Sequence, residues 1–98
     1  MPNIKFNYLY RDGSNYKRFD YVIFANPDNM ALSGFEALIE SKLIDETYFY
    51  ADEWKLPEIF TNPVDFRFDP TWHEFESIEF TDEPPSTLLN LVELKKSI

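Results

Sequence analysis

His73 is the one histidine of the chain, and Glu74 and Glu76 stand beside it. An imidazole among carboxylates could serve as a general base or as a metal ligand. On an extended strand, however, Glu74 and Glu76 point to the face opposite His73. A metal would need ligands from elsewhere, and none is spaced like a known motif. The expected role of His73 is that of a strand histidine, half exposed or bonded to the backbone. Asp52/Glu53 and Asp82/Glu83 are adjacent in sequence only, and no Asp-x-Asp-x-Asp-Gly calcium loop is present. Two glycines leave no phosphate-cradling loop. Without cysteine there is no disulfide, thiolate site or cysteine nucleophile. Ser14, Ser33, Ser41, Ser77, Ser86 and Ser97 have a single histidine to share and no elbow motif, so a triad is not expected. No enzyme activity, metal or cofactor is expected.

The stronger signal is aromatic. Ten Phe, six Tyr and two Trp are more than one small core readily hides. Tyr48, Phe49, Tyr50, Trp54, Phe60, Trp72 and Phe75 fall in the acidic half, and aromatics ringed by charge resemble interface hot spots. Tyr50, Trp54, Trp72 and His73 are the candidate binding residues. The competing reading is a second small core beneath a loop from Trp54 to Pro70. Arg11, Lys17 and Arg18 near Tyr8, Tyr10 and Tyr16 could stack bases and hold phosphate, but a polar hairpin tip is favoured.

Charge supports that choice. The net charge is −9, and residues 26–85 hold fifteen acidic and three basic side chains. Such a field disfavours nucleic acid and anionic membranes. No run approaches the ~20 apolar residues that span a bilayer. No signal peptide is visible, and a cysteine-free chain fits a reducing cytoplasm.

The elements that must position these residues are legible in part. Ninety-eight residues, 1–98, make a single domain. Ile4, Phe6, Tyr8 and Tyr10 alternate with Lys5, Asn7, Leu9 and Arg11, and Phe19, Tyr21, Ile23 and Ala25 alternate with Arg18, Asp20, Val22 and Phe24. Asp12–Asn15 reads as the turn of a hairpin. A four-residue loop pairs Tyr8 with Phe19, Phe6 with Tyr21 and Ile4 with Ile23, and an odd loop is disfavoured because it swaps the faces of one arm. Leu9, Val22 and Phe24 would then need a cover, either the C-terminal helix or a second copy.

Asn26-Pro27 ends the second strand. Ser33 and Glu36 form a capping-box pattern, and Phe35, Leu38, Ile39 and Leu43 make one helical stripe, predicting a helix near 33–44. Thr47-Tyr48-Phe49-Tyr50 reads as a third strand. Asp52–Lys55 suggests a turn or a single helical turn. Phe66 and Phe68 suggest a short strand stopped by Pro70. Trp72–Phe80 is the last long strand, with a bulge to bring Phe75 onto the face of Ile78 and Phe80, and a helix there is the competitor. After Asp82–Pro85, Ser86 could cap a short C-terminal helix with Leu88, Leu91 and Val92 on one side, and Lys95 and Lys96 in its last turn. The expected fold is α+β, with the main helix on a mostly antiparallel sheet of 3–5 strands.

Tyr10-Arg11-Asp12, Asn15-Tyr16-Lys17, Val22-Ile23-Phe24, Asn26-Pro27, Leu43-Ile44-Asp45 and Trp72-His73-Glu74-Phe75-Glu76 resemble a family of small bacterial proteins of about a hundred residues. The likeness covers roughly residues 4–83. It implies a bacterial cytosolic protein and brings no activity and no site residues with it.

Three functions follow in order. The first is a non-catalytic acidic domain that binds a protein partner with a basic surface, for example an inhibitor or immunity-type protein. The second is a small enzyme or ligand-binding protein with a carboxylate and aromatic pocket near Trp54 and His73. The third is an edge-strand homodimer.

Overall fold

Residues 3–11 and 17–24 are the arms of the hairpin, β1 (Asn3–Arg11) and β2 (Lys17–Phe24). The computed structural model describes residues 2–27, 29–61, 63–87 and 90–98. After the hairpin come α1 (Leu32–Lys42), β3 (Tyr48–Phe49), β4 (His73–Thr81) and α2 (Leu91–Ser97). The strands form one antiparallel sheet in the order β2-β1-β4-β3. The fold is α+β, as the alternating and helical patterns predict.

One face of the sheet carries the core. Ile4, Phe6, Tyr8 and Tyr10 of β1 meet Val22 and Phe24 of β2, Phe35 and Ile39 of α1, and Leu94 of α2. Trp54, Leu56 and Ile59 belong to the same cluster, so the described residues of 54–70 join the main core and do not cover a separate one. Phe6 is the hub, with the rings of Tyr8, Phe24, Phe49, Trp54 and Phe75 5.3–6.3 Å from its own. Such aromatic pairs add about 0.5–1.5 kcal/mol beyond burial.

The hairpin register departs from the expected one. Ile4 pairs with Phe24, Phe6 with Val22 and Tyr8 with Asp20. The loop is therefore five residues, Asp12–Tyr16, and the odd length wins. Its backbone explains why. The Asp12 carbonyl accepts from Asn15 N, Asp12 N donates back to Tyr16 O, and Asp12 Oδ1 accepts from Ser14 N and Tyr16 N. Asn15 turns the chain in the left-handed region at φ 68°. Cross-strand pairs at roughly 0.2–1 kcal/mol each do not outweigh that set of bonds. Val22 and Phe24 consequently face the core, while Phe19 and Tyr21 lie half exposed on the reverse face beside Leu9. α2 does not cover that reverse face, since Leu94 enters the core on the other side.

β4 carries the expected bulge. Tyr8 pairs with Phe75 and Asn7 with Ser77, leaving Glu76 as the extra residue. His73 and Phe75 before the bulge then share a face with Ile78 and Phe80 after it.

Local caps differ from the sequence reading. α1 starts at Leu32 with Ala31 as its cap, and no side chain caps it, so the Ser33–Glu36 box is not formed. The chain is instead set by buried Asn26, which exchanges two hydrogen bonds with the Met30 backbone at 2.9 and 3.1 Å. α2 is capped by Asn90, whose side chain accepts from Glu93 N, and not by Ser86. Ser86 bonds the outer edge of β2, giving its N–H to Ile23 O and accepting Ile23 N–H at its hydroxyl. Lys95 and Lys96 do occupy the last turn of α2. Leu88 and the Leu91 side chain lie outside the described residues.

Candidate protein-interaction surface

The segment from Tyr50 to His73 carries every candidate side chain. It opens with one helical turn closed by a left-handed residue. Leu56 N donates to Ala51 O, Lys55 N donates to Asp52 O, and Lys55 stands at φ 61°. This bond pattern ends a helix sharply and turns Trp54 inward. Trp54 lies 4.7 Å from the Phe49 ring and is buried.

His73 is also interior, and its exposure is 0%. Its Nε2 accepts from Ile59 N at 3.0 Å. A lone pair on Nε2 places the proton of the neutral ring on Nδ1, and Nδ1 has no hydrogen-bond partner among the described residues. The rings of Tyr8, Tyr10, Phe49 and Phe60 surround it at 5.1–6.2 Å. Burial pushes the imidazolium pKa down to about 4, while Asp52 acts weakly in the opposite sense. The expected backbone bond is present, but the ring is wholly buried. Two phenols fasten the same segment. Tyr8 donates to Pro57 O at 2.7 Å and Tyr10 to Pro70 O at 2.6 Å. Burial raises both phenol pKa values, aided by Asp20 at Tyr8 and by Asp69 and Asp12 at Tyr10.

Trp54 and His73 thus flank Phe49 inside the core, and neither presents a surface to a partner. Tyr50 and Trp72 do come together. With Ile44, Asp45 and Tyr48 they line a 220 Å³ cavity, and the Trp72 and Tyr48 rings are 5.8 Å apart.

Trp72 also borders a second cavity of 360 Å³, lined by residues 66–72. The sequence reading makes Phe66 and Phe68 a strand, but residues 65–69 are a tight turn. Asp65 O accepts from both Phe68 N and Asp69 N. Asp69 Oδ2 accepts from Asp65 N, and the Asp65 carboxylate takes the Arg67 guanidinium at 2.8 Å. Asp69 Oδ1 accepts from Gly13 N, which docks the turn on the hairpin tip. The turn holds Phe66 and Phe68 outward, 52% and 78% exposed. These two residues were missed because Asp-Phe-Arg-Phe-Asp alternates like a strand. The two aspartates four apart were the available sign of a turn.

Between hairpin tip and turn lies a 640 Å³ cleft bordered by Asp12, Tyr16, Arg18, Thr61, Val64 and Asp69, among others. Its aspartates are engaged in holding the loops. Among the described residues no group of His, Cys, Asp and Glu could hold a metal.

No protein-family model matches the chain, and no curated protein and no solved structure is significantly similar to it. The site must therefore be judged on its own chemistry. Arg11 is spent on Glu74 at 2.8 Å and Arg18 on Phe60 O, while Tyr8 and Tyr10 are buried. Tyr16 and Lys17 of that group remain exposed at the hairpin end. The exposed strand edges are guarded in part. Asp20 Oδ1 accepts the Tyr21 N–H, Ser86 takes Ile23, and Ile44 pairs with Tyr48 outside β3. No described helix is long and apolar enough to cross a membrane. One set of exposed aromatics lies around Trp72 in an acidic surround, and a second, Tyr16, Phe19 and Tyr21, lies on β2 and its loop.

Proposed function

We propose that the protein is a non-catalytic interaction domain that binds a protein partner with a basic surface, in an inhibitor or immunity-type role within a bacterial cytoplasm. The supporting observation is the pair Phe66 and Phe68, held in solvent by a carboxylate-stapled turn beside half-exposed Trp72. Exposed large aromatics are costly to solubility, and rigid ones lose little entropy when they bind. Phe68 and Trp72 act as anchors, with Tyr50 and Tyr48 at the margin. Asp45 and Asp69 in the linings supply the negative rim, while Asp65 is paired with Arg67. A rim of that sign speeds encounter with a basic partner and makes it salt-sensitive.

The test is capture from bacterial lysate at low and high salt, with the Phe68→Ser, Trp72→Ala double variant alongside. The expected result is a basic protein retained at low salt by the wild type and lost with the variant. Equal retention by the variant, or no partner at low salt, counts against the reading.

A further inference from the structure

The segment carrying the exposed aromatics is attached to the sheet by side-chain fasteners that differ in chemistry. Tyr8 and Tyr10 hold Pro57 and Pro70 through phenols, which stay neutral across the acid and neutral range. His73 holds Ile59 through an unprotonated nitrogen. A proton on Nε2 would point a second N–H at the Ile59 N–H across 3.0 Å, so the bond cannot survive protonation. Nor does the resulting cation have another acceptor where it sits, because Nδ1 has no partner among the described residues. A buried unpaired charge of this kind is expelled rather than tolerated.

We propose that His73 is an acid-operated latch. Protonation breaks its bond to Ile59 and loosens residues 58–60, between the Pro57 and Pro70 fasteners, while β1 and β4 remain paired. Because the Phe60 ring packs on Phe66 at 4.9 Å, release also loosens Phe66. If that turn is the docking element proposed above, the partner leaves in acid.

The surroundings leave His73 as the responsive group. From β1 it meets the phenols Tyr8 and Tyr10, from β3 Phe49, and from its own latched segment Phe60. Asp52 is the carboxylate that favours the imidazolium, and burial outweighs it. Glu74, next along β4, is bonded to Arg11, and Glu58 beside Ile59 is exposed. α1 and α2 contribute Phe35, Ile39 and Leu94 to this core, all apolar.

The experiment uses the free full-length protein, ¹⁵N-labelled, and needs no partner, so it can fail while the docking reading stands, and the reverse. Amide exchange is followed from pH 7.5 to 5 and corrected for intrinsic rate, and the His73 ring nitrogens are observed directly. The expected ring is the Nδ1–H tautomer at pH 7.5. Protection of Ile59 should fall roughly thirty-fold across that range, as one proton taken up on opening requires. Amides of Phe6 and Ile78 should change far less. In His73→Phe the Ile59 protection should be low and independent of pH. A ring protonated on Nε2 at pH 7.5, unchanged Ile59 protection at pH 5, or the same pH dependence in His73→Phe would overturn the latch. The ring measurement on the wild type stands even if the variant folds poorly.

Discussion

A buried neutral histidine links stability to pH with a definite sign. The folded pKa of His73 is about 4, below the ordinary 6.5. Between these values the unfolded chain binds a proton that the folded protein does not, so stability rises with pH there. The contribution is complete above about 6.5 and is lost at roughly 1.4 kcal/mol per pH unit as the pH falls toward 4. Urea unfolding at pH 7 and 5 should therefore show about 2 kcal/mol lost in the wild type and little of that loss in His73→Phe. The phenols supply a second residue-level prediction. Tyr10→Phe leaves Pro70 O without its 2.6 Å donor and should cost about 1–2 kcal/mol at neutral pH. Equilibrium denaturation measures it, and an unchanged midpoint would argue that water replaces the phenol.

Elements are joined here by loops in contact with loops. Gly13 of the hairpin tip lies so close to the 65–69 turn that an added Cβ would meet Phe68 O at 2.6 Å and Asp69 Oδ1 at 3.1 Å. The nearest obstacle is backbone and cannot rotate aside. Gly13→Ala should cost on the order of 1–3 kcal/mol and raise amide exchange in residues 65–69. The β2 edge gives another element-scale prediction. Asp20→Ala removes the acceptor of the Tyr21 N–H at 2.7 Å and exposes an edge that Phe19 and Tyr21 make apolar. Concentration-dependent association should increase in sedimentation, without a large loss of stability. The β4 bulge was legible because Phe75 and Ile78 could share a face only with one extra residue between them. The hairpin register was not legible, because its loop is set by Asp12 and Asn15 backbone geometry that competes with the side-chain alternation.

On the scale of the whole molecule, negative charge and exposed aromatic surface share one stretch of the chain. The net charge of −9 is concentrated between residues 26 and 85, which include the exposed aromatics around Trp72. Phe68 is 78% exposed, so Phe68→Ser should alter stability by less than about 0.5 kcal/mol. The same change should weaken partner binding by about ten-fold or more, measured by calorimetry once a partner is in hand. For the proposed complex, raising salt from about 50 to about 500 mM should slow association more than it speeds dissociation, because rim charges act at encounter.

By itself the sequence determined the α+β class, the hairpin, the main helix, the long last strand with its bulge, and the acidic aromatic character of residues 45–83. These are local or periodic features, and the chain expresses them through patterns of two and of about 3.6 residues. Only the tertiary structure decided which aromatics are core and which are surface. Trp54 and His73 went inside and Phe66 and Phe68 outside, although all four sit among charged neighbours. The reason is that the Ala51–Lys55 turn, the bond from Ile59 to His73, and the docking of Asp69 on Gly13 each join residues whose partners the chain's local periodicity does not encode.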